Sequence, residues 1–229
     1  MKISVIVFPG SNCDRDIAVS LKKFSNKDPL MVWHQDHSLP ESDLIVLPGG
    51  FSYGDYLRCG SMAANSPIMK EVIKSANNGS AVIGICNGFQ ILTESGLLPG
   101  TLIQNQGLSF ICKNTPLKVE NDSSFFTHNY KKNDVINIPI AHNEGNYYAS
   151  DDVVKDIEDN GLVAFRYCDQ DGEINNKTNP NGSIKNIAGI LNKNGNVLGM
   201  MPHPERAADS IIGLSDGEKF FTSIIESLQ

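Results

Sequence analysis

SAVIGICNGFQILTESG, residues 80–96, holds an apolar strand, a sharp turn and the start of a helix around one cysteine. Ala81 to Ile85 is an apolar run of strand length, and Phe89, Ile91, Leu92 and Leu97 then recur as one buried face of a helix. Gly84 and Gly88 stand two residues to either side of Cys86, where the lack of a Cβ lets a strand-to-helix elbow close without steric conflict. Such an elbow puts the sulfur at the amino end of a helix, where unpaired N–H groups and the macrodipole favour negative charge. A free cysteine titrates near ~8.5, so a nucleophilic role needs that field, a basic partner, or both. Behind an apolar strand a cysteine is otherwise ordinary core filling, and the choice rests on what else the chain provides.

GMMPHPER, residues 199–206, provides a base. Pro202 and Pro204 bias this segment toward extended backbone, which points His203 and Glu205 the same way. Glu205 then accepts from one ring nitrogen of His203 and leaves the other facing outward for a thiol, a nucleophile, base and orienter arrangement. Read alone, an exposed His between prolines beside a solvated Glu is the plainer alternative.

Around these two segments the chain reads as an α/β protein. Ile3 to Phe8 is a continuous apolar strand, followed by the turn Pro9-Gly10-Ser11-Asn12 and a helix with Ile17, Ala18, Leu21 and Phe24 inward. There is no G-x-G-x-x-G and no Walker lysine, so nucleotide binding at this turn is poorly supported. Leu30 to Trp33 and Leu44 to Leu47 are the next strands, their continuous hydrophobicity suiting a parallel sheet covered on both faces. Pro48-Gly49-Gly50 follows directly, where an open α/β sheet places ligand loops; Tyr53, Asp55 and Arg58 continue that loop, with Arg58 suited either to a substrate carboxylate or to a partner subunit. Asn65 or Ser66 with Pro67 opens a helix that Asn77-Asn78-Gly79 ends.

Beyond Pro99 short strands dominate: Leu108 to Cys112, Leu117 to Glu120, Val135 to Ile140 and Val163 to Tyr167, a mixed or antiparallel extension of the sheet. Asp169 to Lys185 is too polar to build an element and is expected to be disordered alone or to meet a partner. Asn186 to Leu191 and Val197 to Met201 flank an Asn-Gly hairpin signal. Ser215 to Glu218 is a capping-box pattern opening a last helix with Phe220, Phe221, Ile224, Ile225 and Leu228 buried. The fold expected is an open, mostly parallel, flavodoxin-like sheet with helices on both faces and an added antiparallel section, in one domain over residues 1–229.

Gly84 to Gln90 with the late His203-Pro204-Glu205 resembles the class I glutamine amidotransferases. Phe8 to Asp14, the long block Pro48 to Gly60 (PGGFSYGDYLRCG), Cys86 to Leu92, Ala141 to Tyr148 and Gly195 to Arg206 further resemble the small glutaminase subunits of phosphoribosylformylglycinamidine synthases. The resemblance implies Cys86 as nucleophile, His203 as base and Glu205 as its orienter. Two backbone N–H groups would meet an oxyanion: that of Asn87, at the helix start, and that of the Gly50 region, which the resemblance implies. It also implies a glutamine-binding edge with Gly49, Phe51, Gln90, His142 and Asn143. His142 is a rival base for Cys86, but it lacks a carboxylate at the spacing Glu205 offers, which favours a surface or substrate-contact role.

Nothing in the chain is suited to activating an amide oxygen with ATP. The resemblance accordingly implies ATP and Mg on a large synthetase subunit, a small bridging subunit, and no cofactor in this chain. Lys plus Arg number 19 against 26 Asp plus Glu, a formal net charge of -7 without a basic run, which disfavours nucleic acid as partner. The opening MKISVIVF is too short for a signal peptide core, and no apolar stretch approaches ~20 residues; an unexported, cytoplasmic chain away from membranes is expected. Cys13, Cys59, Cys86, Cys112 and Cys168 show no C-x-x-C pair, so neither a disulfide framework nor a zinc site is indicated, and all but Cys86 read as small apolar filler. Two other functions stay open: a different cysteine hydrolase on the same elbow, and a non-catalytic docking subunit.

Overall fold

The computed structural model describes residues 1–229, apart from the side chain of Ile212. β1 (Ile3–Val7) leads into α1 (Asp14–Ser25); β2 (Leu30–Trp33), β3 (Leu44–Leu47), the short α2 (Ser61–Ala64) and α3 (Pro67–Asn77) follow. β4 (Ala81–Ile85) turns at Cys86 into α4 (Asn87–Glu94). Beyond lie β5 (Thr101–Ile103), β6 (Ile111–Val119), β7 (Val135–His142), β8 (Asn146–Tyr148), α5 (Asp151–Asp159) and β9 (Val163–Tyr167). The hairpin β10 (Ile187–Leu191) and β11 (Val197–Met200) precedes α6 (Glu218–Ser227).

Nine strands form one sheet in the order β2-β1-β3-β4-β11-β10-β9-β6-β7. From β2 to β11 neighbours are parallel, and from β11 to β7 they are antiparallel. β5 and β8 make a separate antiparallel pair. Every residue of β3 and β4 is buried, which requires cover on both faces. α4 packs over β3, β4 and β11, while α1 packs on β1 and against α6, with Phe24 stacked on Phe221. Among the described residues no helix is long and apolar enough to cross a membrane.

The glycines around Cys86 are there because the packing leaves no room. A Cβ on Gly88 would fall 2.0 Å from the Leu47 carbonyl oxygen, and one on Gly84 would fall 2.5 Å from that of Gly88. Both lie far inside the distance any real Cβ keeps, so α4 sits directly on β3 and β4 only with glycine at these positions.

Several local expectations are corrected. The two strands expected at Leu108 to Cys112 and Leu117 to Glu120 are one continuous strand, Ile111–Val119. Pro116 is tolerated because its carbonyl accepts from Cys168 N–H, so its missing N–H falls on the β9 side, just outside the stretch paired there, Leu117–Val119. The capping box at Ser215 does not form. α6 starts at Glu218 with Gly217 as its cap, and the Asp216 carboxylate instead accepts from Asn137 N–H at 2.7 Å, tying the helix entry to β7. α5 was missed in the sequence, although Ser150 precedes two acidic residues in its first turn and Val154 and Ile157 share its buried face.

The 169–185 loop is ordered, because its amides and hydroxyls replace the apolar contacts it lacks. Asn181 Nδ2 donates to Gly145 O at 2.7 Å, and Ser183 Oγ accepts from Tyr147 N–H at 3.0 Å.

Gly88→Ala is expected to destabilise the chain by about 4 kcal/mol, the upper end of single-substitution effects. Gly79→Ala, where a Cβ meets nothing within 4 Å but φ is +100°, is expected to cost only about 1 kcal/mol. Urea unfolding of both variants checks the difference, and equal costs would contradict the packing account.

Candidate active site

Cys86 joins β4 to α4 at φ 51° and ψ -104°, a conformation that residues with a Cβ rarely adopt. Its neighbours over-determine it: the Cys86 N–H donates to Met200 O at 2.8 Å, and its carbonyl accepts from Phe89 and Gln90. The same Met200 ends β11, whose parallel register sets it beside Ile85, so the chain leaving β11 reaches His203 next to the elbow. His203 N–H donates to Pro139 O at 2.8 Å. Pro204–Arg206 is a 3₁₀ turn where an extended segment was expected. Pro204 presets φ at its first position, and Arg206 N–H returns to His203 O at 3.1 Å.

The turn closes the pair all the same. His203 Nδ1 donates to Glu205 Oε1 at 2.6 Å, with both side chains almost fully buried. Burial opposes charge on the imidazole, but the Glu205 carboxylate and the nearby Cys86 sulfur outweigh it and raise His203 to about 10. His203 Nε2 is buried without a hydrogen-bond partner. Cys86 is only 5% exposed, and its thiol lies 3.7 Å from the Ala141 carbonyl oxygen. It is nevertheless not walled off, because Cys86 and His203 share a cavity of about 240 Å³ that Gly50 also lines. The exposed rings of Phe51 and Phe110, 6.4 Å apart, flank that cavity.

Two loops hold the backbone around the sulfur. The turn after β1 braces the loop after β3: Phe51 N–H donates to Gly10 O at 2.9 Å and Tyr53 N–H to Pro9 O at 2.7 Å. Gly50 stands at φ +131°, where a Cβ would fall 2.6 Å from Asn12 N. Asn87 Oδ1 accepts from Ser52 N–H at 3.2 Å, and Asn87 Nδ2 donates to Gln90 Oε1 at 2.8 Å. Among the described residues neither the Gly50 nor the Asn87 backbone N–H is bonded to another group; Gly50 lines the cavity and Asn87 directly follows Cys86.

The remaining expected site residues are placed unevenly. Gly49 packs against the His203 ring, where a Cβ would fall 2.8 Å from Cε1. Gln90 is buried and spends its amide internally, Nε2 donating to Glu144 O at 2.7 Å. His142 is neither on the surface nor among the cavity's lining residues: it is buried, with Nδ1 3.1 Å from Asn105 Oδ1. Burial, and then the charge on His203, hold it down at about 4, so it is a neutral imidazole. Asn143 also stays outside the lining, its carbonyl accepting from Asn105 N–H. Arg58 pairs with Glu94 at the end of α4 at 2.5 Å, away from the cavity.

Sequence reading missed Asn105, fully buried and bonded to the Asn143, His142 and Gly145 backbone. Of the four cysteines read as filler, three have polar or site surroundings. Cys13 and Cys112 line the cavity, and Cys59 sits between Asp55 and Glu144, its thiol raised by burial and those two acids.

The strained Cys86 elbow opens on the same cavity as His203, whose ring Glu205 holds, and this is the arrangement that the resemblance to class I glutamine amidotransferases leads one to expect. Residues 1–214 match the family described as CobB/CobQ-like glutamine amidotransferase domain. Over its full length the chain is 57% identical to the phosphoribosylformylglycinamidine synthase subunit PurQ of Pelagibacter ubique, all of which is covered. It is 54% identical over 228 residues to that of Chlorobaculum parvum, covering 90% of it. Among solved structures, PurLQS from Thermotoga maritima superposes with a TM-score of 0.87 at 46% identity, covering 100% of this chain and 99% of that one. The chain belongs to the PurQ family of glutamine amidotransferases.

Since His203 is raised, the stabilisation it gains from Glu205 is fully present below its ordinary ~6.5 and is lost as pH rises through about 10. NMR titration of the ring is expected to show it still protonated at about pH 8, and Glu205→Gln is expected to lower the transition, because burial then opposes charge with the carboxylate's attraction gone.

Proposed function

We propose that Cys86, His203 and Glu205 hydrolyse the side-chain amide of glutamine, in a chain that works as the glutaminase subunit of a phosphoribosylformylglycinamidine synthase. The observation that carries this reading is the 2.6 Å His203–Glu205 pair, whose imidazole member lines the same cavity as the strained Cys86 elbow. Cys86 attacks the amide carbon as the thiolate, its proton already held on the raised His203 ring. The tetrahedral oxyanion meets the N–H groups of Asn87 and Gly50. His203 returns the proton to the leaving nitrogen, ammonia departs, and a γ-glutamyl thioester remains. His203 then takes a proton from water, which cleaves the thioester to glutamate and returns the sulfur to its starting state beside the charged ring. Glu205 orients the ring and stabilises its charged form.

Released ammonia needs an acceptor outside this chain. A large synthetase subunit uses it with ATP and Mg to convert formylglycinamide ribonucleotide to the amidine, and a small bridging subunit joins the two in the cytoplasm. The likeness to the Thermotoga PurLQS structure supports this arrangement. So do the exposed Phe51 and Phe110 at the cavity and the exposed Tyr56 and Leu57 in the same loop as Phe51, apolar surface of the kind a partner covers. Residues 1–229 act as one domain, and glutamine is the substrate, with Gly49 and Phe51 shaping its seat.

In the assembled synthase, Cys86→Ser is expected to abolish glutamine-dependent synthesis while synthesis from added ammonium persists; loss of both would mean the cysteine is structural. Asn87→Ala removes the side chain that ties the Gly50 loop to α4, and is expected to lower kcat at least about tenfold with little change in KM, since the displaced donors serve only the transition state. Steady-state kinetics with glutamine measures the split.

A further inference from the structure

Two side chains that the hydrolytic cycle does not use stand against the back of the His203–Glu205 pair. Cys13, buried at the start of α1, accepts from Arg206 Nη2 at 3.1 Å, and that nitrogen lies 3.4 Å from Asp16 Oδ2. The Cys13 sulfur, a His203 nitrogen and a Glu205 oxygen lie within 4.8 Å of one another. The space over Gly49 is where ring and sulfur meet, because a Cβ there would fall 2.8 Å from His203 Cε1 and 3.3 Å from Cys13 Sγ. Glu205 Oε2, meanwhile, is buried with no hydrogen-bond partner.

A buried carboxylate with a bare oxygen is costly unless positive charge lies close by. A thiol, imidazole and carboxylate so grouped would suit a soft metal ion, but here the guanidinium already rests on the sulfur and adds a positive charge that Glu205 feels to that of the His203 ring. The thiol is pushed up to about 12, chiefly by burial. It therefore stays protonated and offers Arg206 a neutral acceptor.

We propose that Cys13 and Arg206 are positioning residues of the catalytic pair: the thiol walls the edge of the imidazole and clamps the guanidinium, which offsets the charge Glu205 brings into the core. This rests on the triad reading given above. The charged and titratable groups around His203 are Glu205 and Arg206 on its own turn, Cys86 from the elbow, His142 from β7, and Cys13 and Asp16 from α1. Arg206 is the permanent cation in that set. Removing it makes the neighbouring groups hold their protons more tightly, so the alkaline limb of the pH–rate profile moves up, opposite to the shift that Glu205→Gln produces.

The test uses the synthase assembled with its partner subunits, with ammonium-dependent synthesis reporting folding and assembly. Arg206→Met is expected to lower glutamine-dependent kcat about tenfold, change KM less than about twofold, and move the alkaline limb to higher pH. Arg206→Lys is expected to return the limb to its original place. Cys13→Ala lowers kcat and shifts the limb in the same direction, and Cys13→Ser restores most of both. An Arg206→Met enzyme with the original kcat and limb, or with its loss confined to KM, overturns the proposal. Should that variant fail to assemble, Cys13→Ala decides, and unchanged kcat and limb there overturn it. Residual glutamine turnover by Cys86→Ser sinks the triad reading itself, whereas an inactive Cys86→Ser beside unshifted Arg206 and Cys13 variants sinks only the positioning role.

Discussion

Parallel pairing of β4 with β11, in the register that sets Ile85 beside Met200, is the constraint on which the site depends. Cys86 and His203 lie more than a hundred residues apart in the chain, and neither has chemistry of its own without the other. The pairing ends both strands at one edge of the sheet, and the Cys86 N–H bond to Met200 O locks that edge. A slip of one residue would turn every side chain of β11 to the opposite face and carry the imidazole away from the sulfur. Packing forbids such a slip, since a Cβ in the place of Gly199 would fall 2.1 Å from Phe89 Cδ2, and no neighbour on β11 could take that position.

Close approach of backbones is the second requirement. Gly84, Gly88 and Gly50 each stand where a Cβ would collide with a main-chain atom, so the elbow, the sheet and the Gly49–Gly50 loop meet at peptide-to-peptide distance. In that packing neither the Gly50 nor the Asn87 backbone N–H is spent on another group among the described residues. Strain at Cys86 is held by hydrogen bonds on both sides of it, a common way for an active site to keep a side chain aimed outward.

Charge is the third. A buried imidazole and carboxylate are expensive in a low-dielectric interior, and their mutual attraction rarely repays the whole cost. In the proposed function the pair serves by presenting a charged imidazole beside the sulfur. Arg206 and Cys13 complete the arrangement from behind, so four segments distant in sequence (the turn after β1, the loop after β3, the elbow and the turn after β11) share one electrostatic unit.

Much of this was legible in the amino-acid sequence, wherever the physical signal is carried by near neighbours in the chain. The glycines around Cys86 announced a tight elbow, apolar runs announced buried strands, Asn-Gly announced the β10–β11 hairpin, and two residues' spacing was enough to bring Glu205 to His203. What sequence reading misjudged depended on distant partners. Ser215 is no cap because Asp216 is held by β7; the 169–185 loop is ordered because its Asn and Ser side chains find the Gly145–Tyr147 backbone; His142 is buried and neutral because Asn105 and Gly145 enclose it. Local sterics and periodicity were thus determined by the sequence itself, whereas the roles of Cys13, Arg206 and Asn105 were decided by tertiary structure, since a polar side chain's chemistry is set by the groups that folding brings against it.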